Sequence, residues 1–313
     1  MNLFKQYKSF NDILPLFLKA REITCKKATL KGSKTHMNIF KEWLDSQRLS
    51  DIPLRKITKY HIESFSGYLA DKDNGRGLDM TTCEKYRLSL SSLFNFAIER
   101  GEVDVAPVYL FTLPPKGKDC SAELIPEDKI SPLVMDIEEN DYQLFVAIMS
   151  IWGCGLRPRK ELRLRKVKDF NLNEGYVRVT SENAKIGKTG IVTIPEWLIS
   201  IYKQYGLDGA DGEMYVFGKN HHIDSRVVSE NMLSYRFNQF RDSHGLSKGV
   251  SMYSFKHLGS RAYLKIPGND IVGLMRLLRH SNLSSTQKYV QKTLGIVDMN
   301  YQKNSLDPRL IAV

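Results

Sequence analysis

The N-terminal third of the chain repeats apolar residues with the period of an α-helix. Within the stretch from Ser9 to about Val105, Met37, Phe40 and Leu44 follow one another at spacings of three and four residues. Such spacing places apolar side chains on one face of a helix. The same spacing recurs at Tyr86, Leu90, Leu93, Phe94 and Ala97. We therefore predict a small helical bundle, with Thr81 or Thr82 as the N-cap of a helix that runs to about Arg100.

A proline-rich segment follows the predicted bundle. Val105 to Pro126 contains four prolines and precedes an acidic helix start, which favours an extended linker. We place a helical domain at residues 1–108, the linker at 109–124 and a second domain at 125–313, ending in a tail from Gln291.

The second domain begins with helical patterns and then becomes strand-like. The spacing predicts helices at about Glu127 to Asn140 and Asp141 to Trp152. The stretches YVRVTS and GIVTIP have the composition of strands, with AKIGKT between them as the turn of a hairpin. The predicted fold class is thus mainly α with a small antiparallel β-sheet.

Charge and composition narrow the choice of partner. Lys and Arg number 46 against 35 Asp and Glu, a formal net charge of +11, which favours a polyanion such as nucleic acid. A basic soluble enzyme without such a partner is the alternative. The four cysteines are scattered singly, and the chain contains neither an apolar signal region nor a long apolar run. We expect a reduced, cytoplasmic protein that does not contact a membrane.

Four short stretches of the second domain carry residues suited to phosphate chemistry. In WGCGLRPRKELRLRKVKDF a glycine-led turn precedes Arg157, whose planar guanidinium can hold two phosphate oxygens at once. The others are ENAKIGKTGIVTIP with Lys185, SMYSFKHLGSRAYL with Tyr253, Lys256 and His257, and LMRLLRHSNLSSTQKYV with His280 and Tyr289. Each stretch alone has an ordinary structural explanation, and a tyrosine on an amphipathic helix usually belongs to the core.

The order of these four stretches resembles the tyrosine recombinase (phage integrase) family, and its departures resemble the mobile-element integrases. The resemblance rests mainly on LLRHSNLSSTQKYV, with support from GLRPRKEL and YSFKH, and covers the chain from about Ser9 to the tail. It implies an N-terminal helical, SAM-like core-binding domain and a mixed α/β catalytic domain. It also implies a site-specific recombinase that cleaves and rejoins DNA through a 3′-phosphotyrosyl intermediate.

The resemblance assigns roles residue by residue. Tyr289 becomes the nucleophile, Arg157 the first phosphate-binding arginine, Lys185 the acid for the leaving 5′-oxygen, and His280 a helper at the phosphate. Lys256 stands at the family's second arginine and His257 at the histidine that follows it. The candidate DNA contacts are Lys26, Lys27, Lys31, Lys34, Lys85, Arg87, Arg159, Tyr253 and Arg279.

Three departures from the family pattern leave alternatives open. Glu161 follows Arg157 by four residues instead of three, so Arg159 is an alternative first arginine. Lys256 replaces the second arginine, and Arg261, one turn beyond His257, is an alternative replacement. A tyrosine and an arginine, Tyr253 and Arg279, stand where a histidine and a glycine are usual.

The resemblance also implies partners and exclusions. It implies double-stranded DNA, a homotetramer on DNA, and an accessory DNA-bending protein as an optional partner in a bacterial or phage-encoded, nucleoid-associated setting. It implies no cofactor and no metal, and no arm-binding domain before Ser9. Four apolar tail residues would dock on a neighbouring subunit or fold back on their own domain: Leu294, Ile296, Val297 and Met299.

Two other functions stay open at this point. The missing second arginine is compatible with a degenerate integrase-like regulator that binds DNA without cleaving it. A type IB topoisomerase-like nicking enzyme would use the same tyrosine chemistry but act as a monomer.

Overall fold

In a computed structural model of the chain, the structure describes residues 7–116, 123–182 and 189–291. Their contacts divide the chain into two compact units, Met1–Asp119 and Cys120–Val313. Each unit has its own hydrophobic core. Among the described residues, every helix is too short or too polar to span a bilayer.

The first unit is a bundle of helices, which confirms the helical prediction for this region. Its helices are α1 (Phe10–Thr24), α2 (Lys27–Ser46), α3 (Lys59–Ala70) and α4 (Met80–Ile98), and short 3₁₀ turns lie at Leu54–Lys56 and Pro107–Leu110. Every residue of the two predicted apolar faces is buried. Aromatic side chains fill the centre, where the rings of Phe40 and Phe65 pack edge to face at 4.8 Å.

The start of α4 differs from the prediction of a threonine cap. The N-cap is Asp79, whose carboxylate accepts hydrogen bonds from the backbone N–H of Thr82 at 3.0 Å and from its hydroxyl at 2.8 Å. Thr82 is therefore a donor inside the first turn, and Thr81 lies within the helix. Asp79 takes the N-cap because its carboxylate reaches the free N–H groups of the first turn.

The expected linker begins later than its prolines suggested. The segment from Val105 onward forms the 3₁₀ turn Pro107–Leu110, and Val108 and Phe111 are buried in the first core. Their apolar side chains gain more from burial than from an extended, exposed linker. Ile125, near the other end of the proline-rich segment, belongs to the second core.

The second unit surrounds a buried central helix with helices and a three-stranded sheet. Its helices are α5 (Glu127–Asn140), α6 (Tyr142–Cys154), α7 (Glu196–Gln204), α8 (Met232–Ser243), α9 (Met252–Lys265), α10 (Ile271–Leu278) and α11 (Leu283–Tyr289). The first two confirm the predicted helices. Nine of the 13 residues of α6 are buried, so it forms the centre of this core.

The sheet contains the predicted hairpin and one further strand. Its strands are β1 (Phe170–Asn171), β2 (Tyr176–Val179) and β3 (Gly190–Thr193), antiparallel in the order β1-β2-β3. In the hairpin, Val177 pairs with Val192, and both side chains enter the core. Most of the predicted turn AKIGKT, including Lys185, lies outside the described residues.

A glycine allows α9 to pack directly on α6. A Cβ on Gly259 would lie only 2.2 Å from the carbonyl oxygen of Trp152. No side chain fits in that space, so the two backbones touch. This contact holds the first half of α9 against the end of α6, where the turn that leads to Arg157 begins.

We predict that Gly259→Ala destabilises the second unit. The added methyl group must displace helix backbone, and such overpacking costs about 1–3 kcal/mol. Gly32→Ala in α2 is the matched control, because nothing lies within 4 Å of its Cβ position. We expect the control to be neutral or to gain up to about 1 kcal/mol from helix propensity. Urea unfolding measures both variants, and equal effects would contradict the close contact.

Candidate active site

The turn that carries Arg157 contains a one-residue expansion of the helix. Gly155 ends α6 in the left-handed conformation at φ 57°, and Pro158–Leu162 forms a π-helical turn. Its backbone bonds span five residues, from Leu162 N–H to Arg157 O at 3.0 Å and from Arg163 N–H to Pro158 O at 3.2 Å. The expansion accommodates the extra residue between Arg157 and Glu161.

Glu161 lies at the centre of a charged network. Its carboxylate, 1% exposed, accepts from Arg157 Nη1 at 2.5 Å, from Arg157 N–H at 3.0 Å and from Arg279 Nη2 at 2.5 Å. Burial alone would raise the pKa of Glu161, but Arg279 and Arg157 outweigh it and hold that pKa below its ordinary value. Glu161 is therefore a buried anion between two guanidinium groups.

Arg279 reaches this carboxylate from the end of α10. It adopts the left-handed conformation (φ 54°, ψ 45°) that usually selects glycine at a helix end. The next residue, His280, donates its N–H to Met275 O at 3.0 Å, which completes a Schellman motif. From this position the Arg279 side chain is only 9% exposed.

Lys256 points at the same turn from α9. The residue is 1% exposed, and its Nζ donates to the carbonyl oxygen of Gly155 at 2.5 Å. Arg279 Nη2 donates to that oxygen at 3.0 Å. A single carbonyl therefore joins the end of α6 to both cationic side chains.

The hydroxyl of Tyr289 lies on the first half of α9. It is 2.7 Å from His257 Nδ1, 3.2 Å from Ser260 Oγ and 3.5 Å from the carbonyl oxygen of Lys256. Burial raises the pKa of Tyr289 well above its ordinary value of 10.0. Tyr289 is thus a partly buried phenol with a hydrogen-bonding partner for its proton.

His257 has the protonation state of a proton acceptor. Burial, with a smaller contribution from the nearby Lys256 ammonium, lowers the pKa of His257 from 6.5 to about 4. The ring is therefore neutral at neutral pH, and one of its nitrogens can accept a proton.

The ring of His280 lies 5.9 Å from the ring of Tyr289, and its Nδ1 is 2.9 Å from Thr286 Oγ1.

The second unit brings most of the predicted residues into two adjoining groups. The first group is the network around Glu161, to which Arg157 and Lys256 belong. The second group is Tyr289 with the two histidines beside it, His257 and His280. Lys256 is the link, since its ammonium joins the first group and its carbonyl the second. Tyr253 packs its ring against His257 at 5.0 Å.

The alternative arginines lie elsewhere. Arg159 is exposed on the π-helical turn, and Arg261 is directed to Glu127, with its Nη1 3.9 Å from that carboxylate. Neither Glu161 nor Ser260 was assigned a role from the sequence. Glu161 was visible only as a spacing anomaly, and Ser260 could have been noticed because it stands one helical turn after Lys256.

The basic candidates of the first unit differ in their state. Lys26, Lys27, Lys31 and Lys85 are exposed. Lys34 pairs with Glu22 at 3.0 Å, and Arg87 forms a two-point pair with Glu84 at 2.5 and 2.7 Å. The exposed lysines are free to bind a phosphate backbone, whereas Lys34 and Arg87 must first break their ion pairs with Glu22 and Glu84.

This arrangement suits the attack of a phenol oxygen on a phosphoester. A neutral imidazole can take the phenolic proton, and guanidinium groups can hold the oxygens on which negative charge develops.

Among the described residues, no cluster of three His, Cys, Asp or Glu side chains has the geometry of a metal site. His221 and His222 are adjacent in the sequence, and the Nδ1 of His221 lies 3.6 Å from the Oδ1 of Asp141.

Two family profiles match the chain. The phage integrase family profile matches residues 123–294, and the phage integrase SAM-like domain profile matches residues 9–112. Among curated proteins, the tyrosine recombinase XerC of Salmonella typhi is 28% identical over 229 residues, which cover 70% of this chain and 72% of that protein.

Solved structures show the same fold at low sequence identity. A lambda integrase dimer bound to a COC′ core site has a TM-score of 0.70 and 20% identity, with 90% of this chain and 95% of that chain covered. The Tn1549 transposon integrase in complex with a circular intermediate DNA has a TM-score of 0.69 and 17% identity, with 88% and 94% covered. These likenesses establish the fold of the chain.

We predict that His257 makes stability depend on pH in the acid range. Its pKa is about 4 in the folded chain and 6.5 as the ordinary value, so below pH 6.5 the unfolded chain binds a proton that the folded chain does not. The free energy of unfolding should therefore fall as pH drops from 6.5 toward 4. The variant His257→Gln lacks the titrating imidazole, so its free energy of unfolding should not show this fall. Above pH 6.5 this titration should make no difference between the two chains. Urea unfolding across this range compares the two, and parallel pH profiles would contradict the neutral, buried imidazole.

Proposed function

The chain belongs to the phage integrase family of tyrosine recombinases, and on that basis we propose that it cleaves and rejoins DNA strands at specific sites through a 3′-phosphotyrosyl intermediate. One observation carries the proposal. The Tyr289 hydroxyl lies 2.7 Å from Nδ1 of the neutral His257. His257 belongs to α9, and the neighbouring Lys256 binds the Gly155 carbonyl at the turn that leads to Arg157.

The first step forms one bond to phosphorus and breaks another. Tyr289 Oη attacks the phosphate in line, the bond to the 5′-oxygen breaks, and the DNA 3′-end stays on the tyrosine. His257 Nδ1 takes the phenolic proton. The negative charge of a bound phosphate raises the pKa of His257, so DNA binding itself makes this residue a better base.

The other residues stabilise the transition state and the leaving group. Arg157 holds non-bridging oxygens with its guanidinium, whose orientation is set by Glu161. Lys185 protonates the departing 5′-oxygen, and His280 assists at the phosphate. Because the tyrosyl ester preserves the phosphodiester energy, a 5′-hydroxyl of a second strand reverses the step without an external energy source.

Recombination cuts four strands, so we propose a homotetramer with one Tyr289 for each strand. The exposed lysines of the first unit and the net charge of +11 support its role as a core-binding domain on double-stranded DNA. The apolar tail residues Leu294, Ile296, Val297 and Met299, which lie outside the described residues, are proposed to dock on a neighbouring subunit.

We further propose that the DNA target is a mobile element that the enzyme integrates or excises, with an accessory DNA-bending protein as an optional partner. The substitutions Lys256 and Arg279 in the family pattern support this proposal, as does the likeness to a transposon integrase. A chromosomal role like that of a XerC-type recombinase is the alternative. Sequencing the junctions that form when the gene is expressed beside its native flanking DNA distinguishes them, because integration produces element ends in new DNA.

Two competing functions give different results on oligonucleotides from such a junction. A suicide substrate, nicked beside the cleavage site, loses the short strand that could religate and traps a covalent adduct. A DNA-binding regulator forms no adduct. A topoisomerase-like nicking enzyme forms the adduct but does not join strands between two duplexes.

We predict that Tyr289→Phe abolishes adduct formation and leaves DNA affinity within about threefold, because only the nucleophilic oxygen is removed. Denaturing gels measure the adduct, and fluorescence anisotropy measures the affinity. Tyr263→Phe, which removes a hydroxyl from α9, is the matched control and should keep adduct formation. An adduct formed by the Tyr289→Phe variant would show that another residue is the nucleophile.

We predict that Arg157→Lys slows single-turnover cleavage by about 10²–10³-fold, comparable with the loss of one preorganised charge-stabilising group. Lysine keeps the charge but loses the fork that binds Glu161 and phosphate together. Arg159→Lys is the control, because Arg159 is exposed on the same turn, and it should stay within about threefold. The reverse ranking would transfer the role of first arginine to Arg159.

A further inference from the structure

We propose that Arg279 supplies the second guanidinium of the phosphate-binding site, in place of the arginine that Lys256 replaces. This inference rests on the proposed function, since it concerns the phosphate that Tyr289 attacks. It assigns to Arg279 a direct contact with a non-bridging oxygen, made by its Nε–H group.

The position of Lys256 explains why another cation is needed. Its ammonium is directed to the Gly155 carbonyl at 2.5 Å, and the residue is 1% exposed. An ammonium in this place stabilises the turn of Arg157 and adds positive charge, but it is a point charge without a planar fork. Two non-bridging oxygens are better held by two guanidinium groups than by one guanidinium and a buried lysine.

Arg279 places a guanidinium beside that of Arg157. Both groups donate to the carboxylate of Glu161 at 2.5 Å, one to each oxygen. The Nη1 of Arg279 also donates to Leu277 O at 3.1 Å and to Cys154 O at 3.3 Å. These contacts orient the side chain before DNA arrives, and preorganisation of this kind is what makes charge stabilisation effective.

One donor of this oriented side chain has no acceptor. The Nε of Arg279 is buried and has no hydrogen-bond partner among the residues that the structure describes. A buried, unsatisfied donor destabilises the fold, and more so when it is charged. A phosphate oxygen would satisfy this donor. Gly190 packs against this side chain, since a Cβ at that position would lie 3.6 Å and 4.0 Å from two of the Arg279 side-chain carbons, which is ordinary van der Waals contact.

The backbone conformation of Arg279 also supports a functional role for this residue. At φ 54° it occupies the left-handed region, which is unfavourable for a non-glycine residue. The chain thus keeps a strained backbone and a buried, unsatisfied donor at one residue. Strain of this kind concentrates at functional sites. A glycine would remove both costs, so the long cationic side chain has a use that outweighs them.

The test exchanges the two positions back to the family pattern. Arg279→Gly should slow single-turnover cleavage by about 10²–10³-fold. The double variant Lys256→Arg/Arg279→Gly should recover most of that loss, to within about tenfold of the wild-type rate, because it restores a guanidinium from α9. Arg276→Ala removes an exposed arginine from the same helix and is the matched control, expected within about threefold.

A second substrate separates phosphate contact from a purely structural role. In a methylphosphonate linkage one non-bridging oxygen is replaced by methyl, so the reacting group is neutral and needs less cationic stabilisation. The tyrosine still forms its bond to phosphorus and the 5′-hydroxyl still leaves. The defect of Arg279→Gly should therefore shrink by about tenfold or more on the stereoisomer whose methyl faces Arg279.

The outcomes separate the inference from the proposed function. If the wild-type chain forms no adduct on its junction DNA, the proposed function fails. If the wild type cleaves and Arg279→Gly cleaves equally well, Arg279 is not the second guanidinium. Equal defects on both substrates, without recovery in the double variant, would also overturn the inference and make Arg279 a structural partner of Glu161. Thermal unfolding checks that Arg279→Gly folds. If Arg279→Gly does not fold, Arg279→Lys, which keeps the charge, takes its place and should show an intermediate rate.

Discussion

The buried carboxylate of Glu161 orients two cationic side chains of the candidate site. A charge with 1% exposure must be paired, and here two guanidinium groups, from Arg157 and Arg279, pair with it. Glu161 lies in the π-helical turn that follows Arg157, and both guanidinium groups reach it there. The anion thereby gathers two cations at one point, and a phosphate bound beside them meets a site whose charges are already oriented.

The backbone contact of α6 and α9 joins this charged network to the helix on which the Tyr289 hydroxyl lies. Gly259 lets the two helices touch, and Gly155 ends α6 so that its carbonyl can accept from Lys256 and Arg279. Since α9 carries both Lys256 and His257, one helix positions the partner of the Gly155 carbonyl and the partner of the Tyr289 hydroxyl. The two glycines therefore shape the proposed site without contributing a side chain to it.

The sequence predicted what local periodicity and motif order determine. The helices of both units were predictable because their buried faces repeat at helical spacing, and the hairpin because its strands are β-branched. β1 is too short, at two residues, to show a period. The sequence did not distinguish Arg157 from Arg159, because the carboxylate that pairs with Arg157 is also held by Arg279, a residue far away in the chain. The place of Arg279 beside Arg157 joins residues far apart in the chain, which no spacing rule reveals.

The most direct test of this site is a crystal structure of the Tyr289→Phe variant bound to its uncleaved junction DNA. The account predicts that the guanidinium groups of Arg157 and Arg279 both lie within hydrogen-bonding distance of the phosphate nearest Phe at position 289, with Glu161 between them and Lys256 still on the Gly155 carbonyl. A phosphate held by Lys256 or Arg261, with Arg279 remote from it, would contradict the account.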